Sequence, residues 1–295
     1  MKILNFGSCN IDMVYAMNHI VLQGETQTSE RVDRFAGGKG LNQSIALARA
    51  GAQVYHAGCI GHDGQFLLDM TRDSGVDISC VKRVQEANGH AIIQVSRDGQ
   101  NAIFLYPGSN AMVDEAYIDT VLEAFAAGDI LLLQNEISNV AYLIDRAYEK
   151  QMFILLNPSP YNDVLKAVDM GKVSCLILNQ VEAAQMTGEN EPEAAIAYLH
   201  NAYPGNQVML TLGHQGCVFS DGKKFVCQKA FSVKAVDTTA AGDTFTGYFV
   251  AGMAKGMPWD ENMKLASAAA AIAVTREGAA PSIPERDEVL RWLED

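Results

Sequence analysis

Short, continuous apolar runs recur through the second half of the chain, separated by stretches in which apolar residues fall at helical spacing. Residues 130–133, 153–156, 175–178 and 208–212 are rich in Leu, Ile and Val and have the length of strands buried on both faces. Residues 140–150 and 192–203 lie between such runs and carry helix-forming residues with a helical period. This alternation predicts an α/β fold, a doubly wound and mostly parallel sheet flanked by helices. The run at residues 3–7 reads as its first strand. Sheets of this class bind ligands beyond the carboxyl ends of their strands, which is where the polar motifs of this chain fall.

Two early segments break the rhythm. Residues 13–35 and 89–106 alternate in the manner of strands (Ala91, Ile93, Val95; Ile103, Leu105) with no helix between them, and Ser96-Arg97-Asp98-Gly99 suits a hairpin turn. They predict either a small β-sheet lid projecting from the main domain or an antiparallel edge of the main sheet. No repeat or low-complexity linker divides the 295 residues, so one α/β domain with that lid is expected.

The formal charge of −13 argues against nucleic acid or an anionic membrane as a partner, since both need a basic face. The densest apolar stretch, residues 266–274, is too short to span a bilayer. No signal peptide precedes the first strand, and the six cysteines include no C-x-x-C pair. A reducing, cytoplasmic setting is the expectation. The six histidines are scattered without metal-ligand spacing.

The segment Asp237-Thr238-Thr239-Ala240-Ala241-Gly242-Asp243 joins an alternating run at residues 231–236 to a small-residue helix beginning near Thr244. A glycine at such a strand-to-helix turn lets N–H groups and the helix dipole converge on an anion. Asp243 beside that point repels a phosphate, but it suits taking a proton from an attacking hydroxyl; a plain N-cap is the alternative. Gly37-Gly38-Lys39-Gly40-Leu41-Asn42 opens a helical stretch at residues 43–50. It is not a Walker A loop, but close backbone approach with Lys39 and Asn42 as donors suits a polyhydroxy ligand or an anion, and a tight helix-entry turn equally well. Asn10 and Asp12 share one face at the end of the first apolar run, fit to grip adjacent hydroxyls or to end the strand in an Asx turn.

Asn179-Gln180-Val181-Glu182 follows another buried run. Glu182 there suits either a magnesium–phosphate site or a capping box. Thr211-Leu212-Gly213-His214-Gln215-Gly216 offers a backbone loop to a phosphate or ribose, or a hairpin turn into residues 217–219; His214 is given no catalytic role. The alanine-rich helix at residues 263–274 is followed by a carbonyl-rich loop through Ser282.

Taken together and in order, from Gly7-Ser8-x-Asn10-x-Asp12 to Pro281-Ser282-Ile283-Pro284, these motifs resemble the ribokinase branch of the PfkB-type carbohydrate kinases. The resemblance implies transfer of the ATP γ-phosphoryl group to a primary sugar hydroxyl, with ribose going to ribose 5-phosphate. It implies Asp243 as catalytic base and an anion hole from Ala240, Ala241 and Gly242. Asn10, Asp12, Gly38, Lys39, Asn42 and Glu136 would hold the sugar, and Ala91, Ile93 and Ile103 of the lid would cover its apolar side. Asn179 and Glu182 would organise Mg2+ and phosphates. Thr211, Gly213 and Gly216 would line the ATP site, with Ser267 in the adenine wall. Asp237, Thr239, Ala273, Arg276, Gly278 and Ser282 would surround an activating monovalent cation, K+. A homodimer through the lid is implied as well. The chain departs from the pattern at Phe104 and Tyr106 in the lid strand and at Ser267, where a histidine is familiar. The alternatives are a kinase of another sugar or a nucleoside, and a noncatalytic sugar or nucleotide sensor.

Overall fold

Every buried apolar run predicted from the sequence becomes a strand of one nine-stranded sheet. The computed structural model describes residues 1–294. The first strand is β1 (Ile3–Phe6); β2 (Asn10–Met17) and β3 (Arg31–Gly37) follow it and lead into α1 (Lys39–Arg49). Next come β4 (Val54–Ile60), α2 (Gln65–Asp73), β5 (Asp77–Arg83), β6 (Gly89–Ser96), β7 (Asn101–Tyr106) and α3 (Glu115–Leu122). The second half runs β8 (Ile130–Gln134), α4 (Val140–Glu149), β9 (Phe153–Asn157), β10 (Cys175–Asn179), α5 (Gln180–Thr187), α6 (Pro192–Ala202) and β11 (Gln207–Thr211). It closes with β12 (Cys217–Ser220), β13 (Phe225–Gln228), α7 (Ala241–Ala254), α8 (Trp259–Ala273) and α9 (Arg286–Glu294).

The main sheet is ordered β13-β12-β11-β10-β9-β8-β1-β4-β5, parallel from β11 to β5 and antiparallel at β12 and β13. Strand alternation sorts its side chains into two cores. Ile3, Ile130 and Leu132 face α1, α2, α7, α8 and α9, whereas Leu4, Leu131 and Leu133 face α3 to α6. The chain leaves β1 toward β4 and returns on its other side as β8, so the topological switch point lies between β1 and β8.

The two segments that broke the rhythm form a separate four-stranded sheet, β3-β2-β6-β7, and not an edge of the main one. Its strands reach nearer the site than expected: β2 starts at Asn10 and β3 ends at Gly37, while residues 18–30 between them form a loop. The hairpin turn at Ser96–Gly99 is present, with Gly99 N–H donating to the Ser96 carbonyl at 2.9 Å.

Several local expectations need correction. Residues 231–236 form no strand; they run extended, and Val236 and Asp237 donate their N–H groups to the Val274 carbonyl instead of to a ladder. Helix α7 begins at Ala241 rather than Thr244, α1 at Lys39 rather than residue 43, and α8 at Trp259 rather than Met263. Asn10 and Asp12 open β2 of the small sheet and do not terminate β1.

Candidate active site

Small residues allow α1 to lie on the end of β1. A Cβ on Gly40 would stand 2.3 Å from Ser8 N and 2.4 Å from the Gly7 carbonyl carbon, so the contact is backbone on backbone. Leu41 N–H donates to the Ser8 carbonyl at 2.9 Å, and Lys39 N–H to Glu136 Oε2 at 2.9 Å, beside a short bond from Ser8 Oγ to the same carboxylate. Gly38, at φ 91°, makes the turn from β3 into α1. Gly37 leaves room for Asp12: a Cβ there would sit 2.1 Å from Asp12 Oδ2.

These contacts bring the expected sugar ligands together at the switch point. Asn10 is buried, and its Oδ1 accepts from Asn110 Nδ2 at 2.7 Å. Asp12 pairs with Ala91 in the β2–β6 register, and Ile93 pairs with Ile103 across β6–β7, so all four side chains share one face. The same register pairs Phe104 with Ile92 and Tyr106 with His90, on the opposite face. Phe104 and Tyr106 therefore lie on the face opposite Asp12, Ala91 and Ile93, although Tyr106 lines a recess beside Asn10 and Glu136. Tyr106 stacks near His90 and bonds Glu86 at 3.1 Å.

Asp243 lies in the first turn of α7, 7% exposed. Asn42 Nδ2 donates to its Oδ2 at 3.0 Å and Gln43 Nε2 to its Oδ1 at 2.9 Å. It caps nothing: the N-cap is Ala240, held at φ 58°, and the helix has no side-chain cap. The uncapped helix start, with Ala240, Gly242 and Asp243, lines the cleft and gives it its share of the helix dipole, while Ala241 N–H donates to the Thr238 carbonyl at 3.3 Å. A Cβ on Gly242 would meet no atom within 4 Å, which leaves the space in front of that turn open. The Oδ1 of Asn42 is buried without a protein partner and is free to accept a ligand hydroxyl.

The cleft, about 230 Å³, is lined by Lys39, Asn179, Glu182, Thr211, Ala240, Gly242 and Asp243 among others. Asn179 and Glu182 form a full capping box on α5, with Glu182 N–H donating to Asn179 Oδ1 at 2.9 Å and Asn179 N–H to Glu182 Oε2 at 3.0 Å. The box also aims a buried carboxylate at the cleft, so the structural and functional readings of Glu182 coexist. Burial works against the Lys39 ammonium, yet Asp243, Glu136 and Glu182 outweigh it and raise its pKa. Lys39 is thus a fixed cation among three acids. Burial chiefly, and Glu136 next, push the Asp12 carboxyl up to about 7.

Through Thr211, Thr238 and Gly242 the cleft meets a second, largely apolar cavity of about 360 Å³ lined by Ala241, Gly213, Gly216, Phe245, Ser267 and Ala271 among others. The Thr211–Gly216 segment is indeed the hairpin turn between β11 and β12, and it walls this cavity as well. Gly216, at φ 106°, is required because a Cβ would lie 1.9 Å from the Gln228 carbonyl oxygen.

Asp237 ties the segment before α7 to the loop after α8: its Oδ1 accepts from Thr239 N–H and its Oδ2 from Gly278 N–H, each at 2.9 Å. Burial would raise its pKa, but the bonds from Thr239 and Gly278 prevail and lower it. Arg276 turns its guanidinium to Glu288, and Ala273 O already accepts from Arg276 N–H at 3.1 Å. An anionic Asp237 with no cationic partner among the described residues fits a monovalent cation. A lone Glu182 beside an anion cradle fits Mg2+ bound mainly through phosphates and water. No cluster of three or more His, Cys, Asp or Glu able to hold a metal occurs among the described residues.

Gln43, Asn110, Asn157 and Thr238 belong to the site and were not read from the sequence. Asn157 could have been found, since it ends a buried run in the same way as Asn179. Gln43 gave no signal, because one polar residue in an apolar helix face looks like a break in the period.

An α/β sheet accompanied by a small second sheet, with an uncapped helix N-terminus, a buried carboxylate and a buried lysine near its switch point, has the features of a phosphotransferase for small hydroxylated substrates. Comparison with known proteins agrees. The model of the pfkB family of carbohydrate kinases matches residues 1–286. Ribokinase of Haemophilus influenzae is 36% identical, with 98% of this chain and 97% of that protein covered. Ribokinase of Thermotoga maritima superposes with a TM-score of 0.90 at 32% identity, covering 100% of this chain and 99% of that one. Arabidopsis thaliana ribokinase complexed with ribose and ATP gives 0.88 at 28% identity, covering 100% and 98%. The chain belongs to the pfkB family of carbohydrate kinases.

Proposed function

We propose that the protein phosphorylates ribose at its primary hydroxyl, using ATP. The observation that carries this is the Asp243 carboxylate, buried, held by two amides, and set in the same helix turn as the open anion cradle. In the reaction, Asp243 takes the proton of the 5-hydroxyl as that oxygen attacks the γ-phosphorus, and ADP leaves with the electrons of the broken P–O bond. In this reading the backbone of the Ala240–Gly242 turn would stabilise the charge that develops on the transferring group, and Lys39, which lines the same cleft, would supply a full positive charge beside it. Ala240 makes that turn. Mg2+ on the phosphates, organised by Asn179 and Glu182, would supply further charge neutralisation. K+ beside Asp237, Thr239, Gly278 and Ser282 would support the loops that flank the cradle. The apolar cavity suits a purine, with Ser267 in its wall.

A second reading has one observation in its favour. An apolar recess of about 290 Å³, lined by Leu105, Tyr106, Ile137 and Pro160, opens beside Asn10 and Glu136 and has room for a larger substituent on the sugar. A panel of pentoses, hexoses and nucleosides, assayed with and without K+, separates the two. The highest kcat/KM is expected with ribose, and a nucleoside in first place would reject the ribose assignment. Binding without any turnover would leave a sensor.

Asp12 predicts a pH dependence. Its free-state pKa of about 7 means that the acceptor form wanted by sugar hydroxyls is lost as pH falls through that value. Sugar binding favours the ionised form, so affinity should be constant above pH 7 and weaken below it, by up to about tenfold per pH unit. Asp12→Asn should flatten that limb. A sugar KM unchanged between pH 8 and pH 6 would exclude Asp12 from the pocket.

The edge strand β7 exposes Ile103, Phe104 and Leu105 by 55%, 56% and 56%, apolar on both faces. Unpaired apolar edges are ordinarily covered, which supports a homodimer through the small sheet. Sedimentation is the check, and a monomer at assay concentration would reject it.

A further inference from the structure

Gln43 is fully buried, and its amide is the meeting point of three chain segments. Its Nε2 donates to Asp243 Oδ1 at 2.9 Å and to Asn157 Oδ1 at 3.1 Å, while its Oε1 accepts from Gln134 Nε2 at 2.6 Å. Gln134 Nε2 also donates to Asn5 Oδ1 at 2.9 Å, and Asn5 Nδ2 donates to Ser44 Oγ at 2.8 Å and to the Gly40 carbonyl at 2.7 Å. Ser44 Oγ lies 2.8 Å from His56 Nδ1, and His56 Nε2 lies 3.2 Å from Cys9 Sγ. This row of buried polar groups runs from the Asp243 carboxylate through α1 and β1 to His56 of β4 and to Cys9.

The sense of the row is forced. An ionised carboxylate only accepts, so the Gln43 nitrogen must face Asp243 and its oxygen must face Gln134. Gln134 must then present its nitrogen to Gln43 and Asn5, which turns the Asn5 nitrogen toward Ser44. Beyond Ser44 the row continues to His56 Nδ1 and, from Nε2, to the Cys9 thiol, with the direction of these two contacts set by the His56 tautomer. Burial holds the His56 imidazole down to about 4 and pushes the Cys9 thiol up to about 12. A flip at Gln43 would set two acceptors against each other at Asp243 and two donors against each other at Gln134. The amide is thereby locked from behind by Gln134, itself held by Asn5.

We propose that Gln43 is a positioning residue for the phosphoryl transfer: it holds the Asp243 carboxylate in one rotamer, with the row behind it preventing the amide from turning. The inference rests on Asp243 being the base. Asn42 holds the other oxygen, but its own Oδ1 is unpartnered, so nothing fixes the Asn42 amide from behind as Gln134 fixes that of Gln43. By bonding Asn157 as well, Gln43 sets the spacing between the base and the cleft wall at the end of β9. The charged groups that face Asp243 are Lys39, Glu136 and Glu182.

The test compares Gln43→Leu, Gln43→Glu and Asp243→Asn in the full chain, with kcat and sugar KM measured across pH and with thermal stability. Gln43→Leu should lower kcat by about 10- to 100-fold, the usual effect of a displaced catalytic group, with sugar KM little changed. The acid limb of the kcat profile should move to higher pH, because a donor that favoured the ionised base is gone. Gln43→Glu is isosteric and should move that limb further up, since two adjacent carboxyls share one proton. If Gln43→Leu loses activity only in step with its folded fraction and the limb stays put, Gln43 serves the fold alone and the proposal falls. Should Gln43→Leu not fold, an unmoved limb in Gln43→Glu overturns it equally. Turnover retained in Asp243→Asn would show separately that the base is misassigned.

Discussion

Asp243→Asn should lower kcat by about 10²–10⁴-fold, the range of general-base catalysis. The substitution keeps the shape of the side chain and removes only its capacity to take a proton. It also disturbs the surroundings in a calculable way. Asn42 Nδ2 and Gln43 Nε2 both donate to the native carboxylate. An asparagine presents an NH2 to one of them, leaving two donors face to face in a buried site, at a cost of about 1–3 kcal/mol for the unsatisfied group. Lower thermal stability is therefore expected beside the loss of turnover. Single-turnover measurements at saturating sugar and ATP separate the chemical step from any loss of binding. Turnover near the wild-type rate would remove Asp243 from the mechanism.

Gly40→Ala should damage both stability and catalysis, although Gly40 itself is assigned no contact with substrate. Gly40 sits in the first turn of α1, where alanine is intrinsically favoured over glycine by up to about 1 kcal/mol. Against that stands a Cβ placed 2.3 Å from Ser8 N and 2.4 Å from the Gly7 carbonyl carbon. These are backbone atoms of the segment that leaves β1, and they cannot rotate aside. Overpacking of this kind costs about 1–3 kcal/mol and wins over the propensity gain. Relief requires α1 to slide off β1, and α1 carries the Asn42 and Gln43 amides. A shift approaching an ångström at those groups would cost up to about 10²-fold in kcat. Chemical denaturation and steady-state kinetics on the same variant check both halves. Wild-type stability together with wild-type kcat would mean that the β1–α1 contact is looser than the geometry shows. The contrast is Gly242, where an added Cβ meets no atom within 4 Å and the fold should be indifferent.

How much of this was legible in the sequence depended on how locally each feature is encoded. The parallel strands β8 to β11 were readable because burial on both faces leaves an unbroken apolar run, as at Ile130–Gln134. The first-half strand β5 and helix α2 gave less, since Gln65–Asp73 buries only Leu67, Leu68 and Thr71 and its surface is mixed. The run at residues 231–236 alternates like a strand but lies beyond the last ladder, and no pattern within it reveals that its partner is a single carbonyl of Val274. Among site residues, Asp243, Lys39 and Glu182 stood in glycine-rich or strand-end contexts that carry their own signal. Gln43 did not, because its partners, Asp243, Asn157 and Gln134, lie far away along the chain. The faces of Phe104 and Tyr106 required the β6–β7 register, which side-chain alternation inside one strand cannot supply.

Strand β3 ends at Gly37 and helix α1 begins at Lys39, so a single glycine separates the small sheet from the helix whose amides hold Asp243. On the proposed reading, the acceptor is gripped by one side of that joint and activated by the other. A molecule that engages nothing on the small sheet meets the base in place but is not held in line with it. Discrimination among acceptors would then be expressed in turnover more than in affinity. Water is the extreme case: it fits the cleft, offers no second hydroxyl to Asp12, and so makes a poor thief of the phosphoryl group.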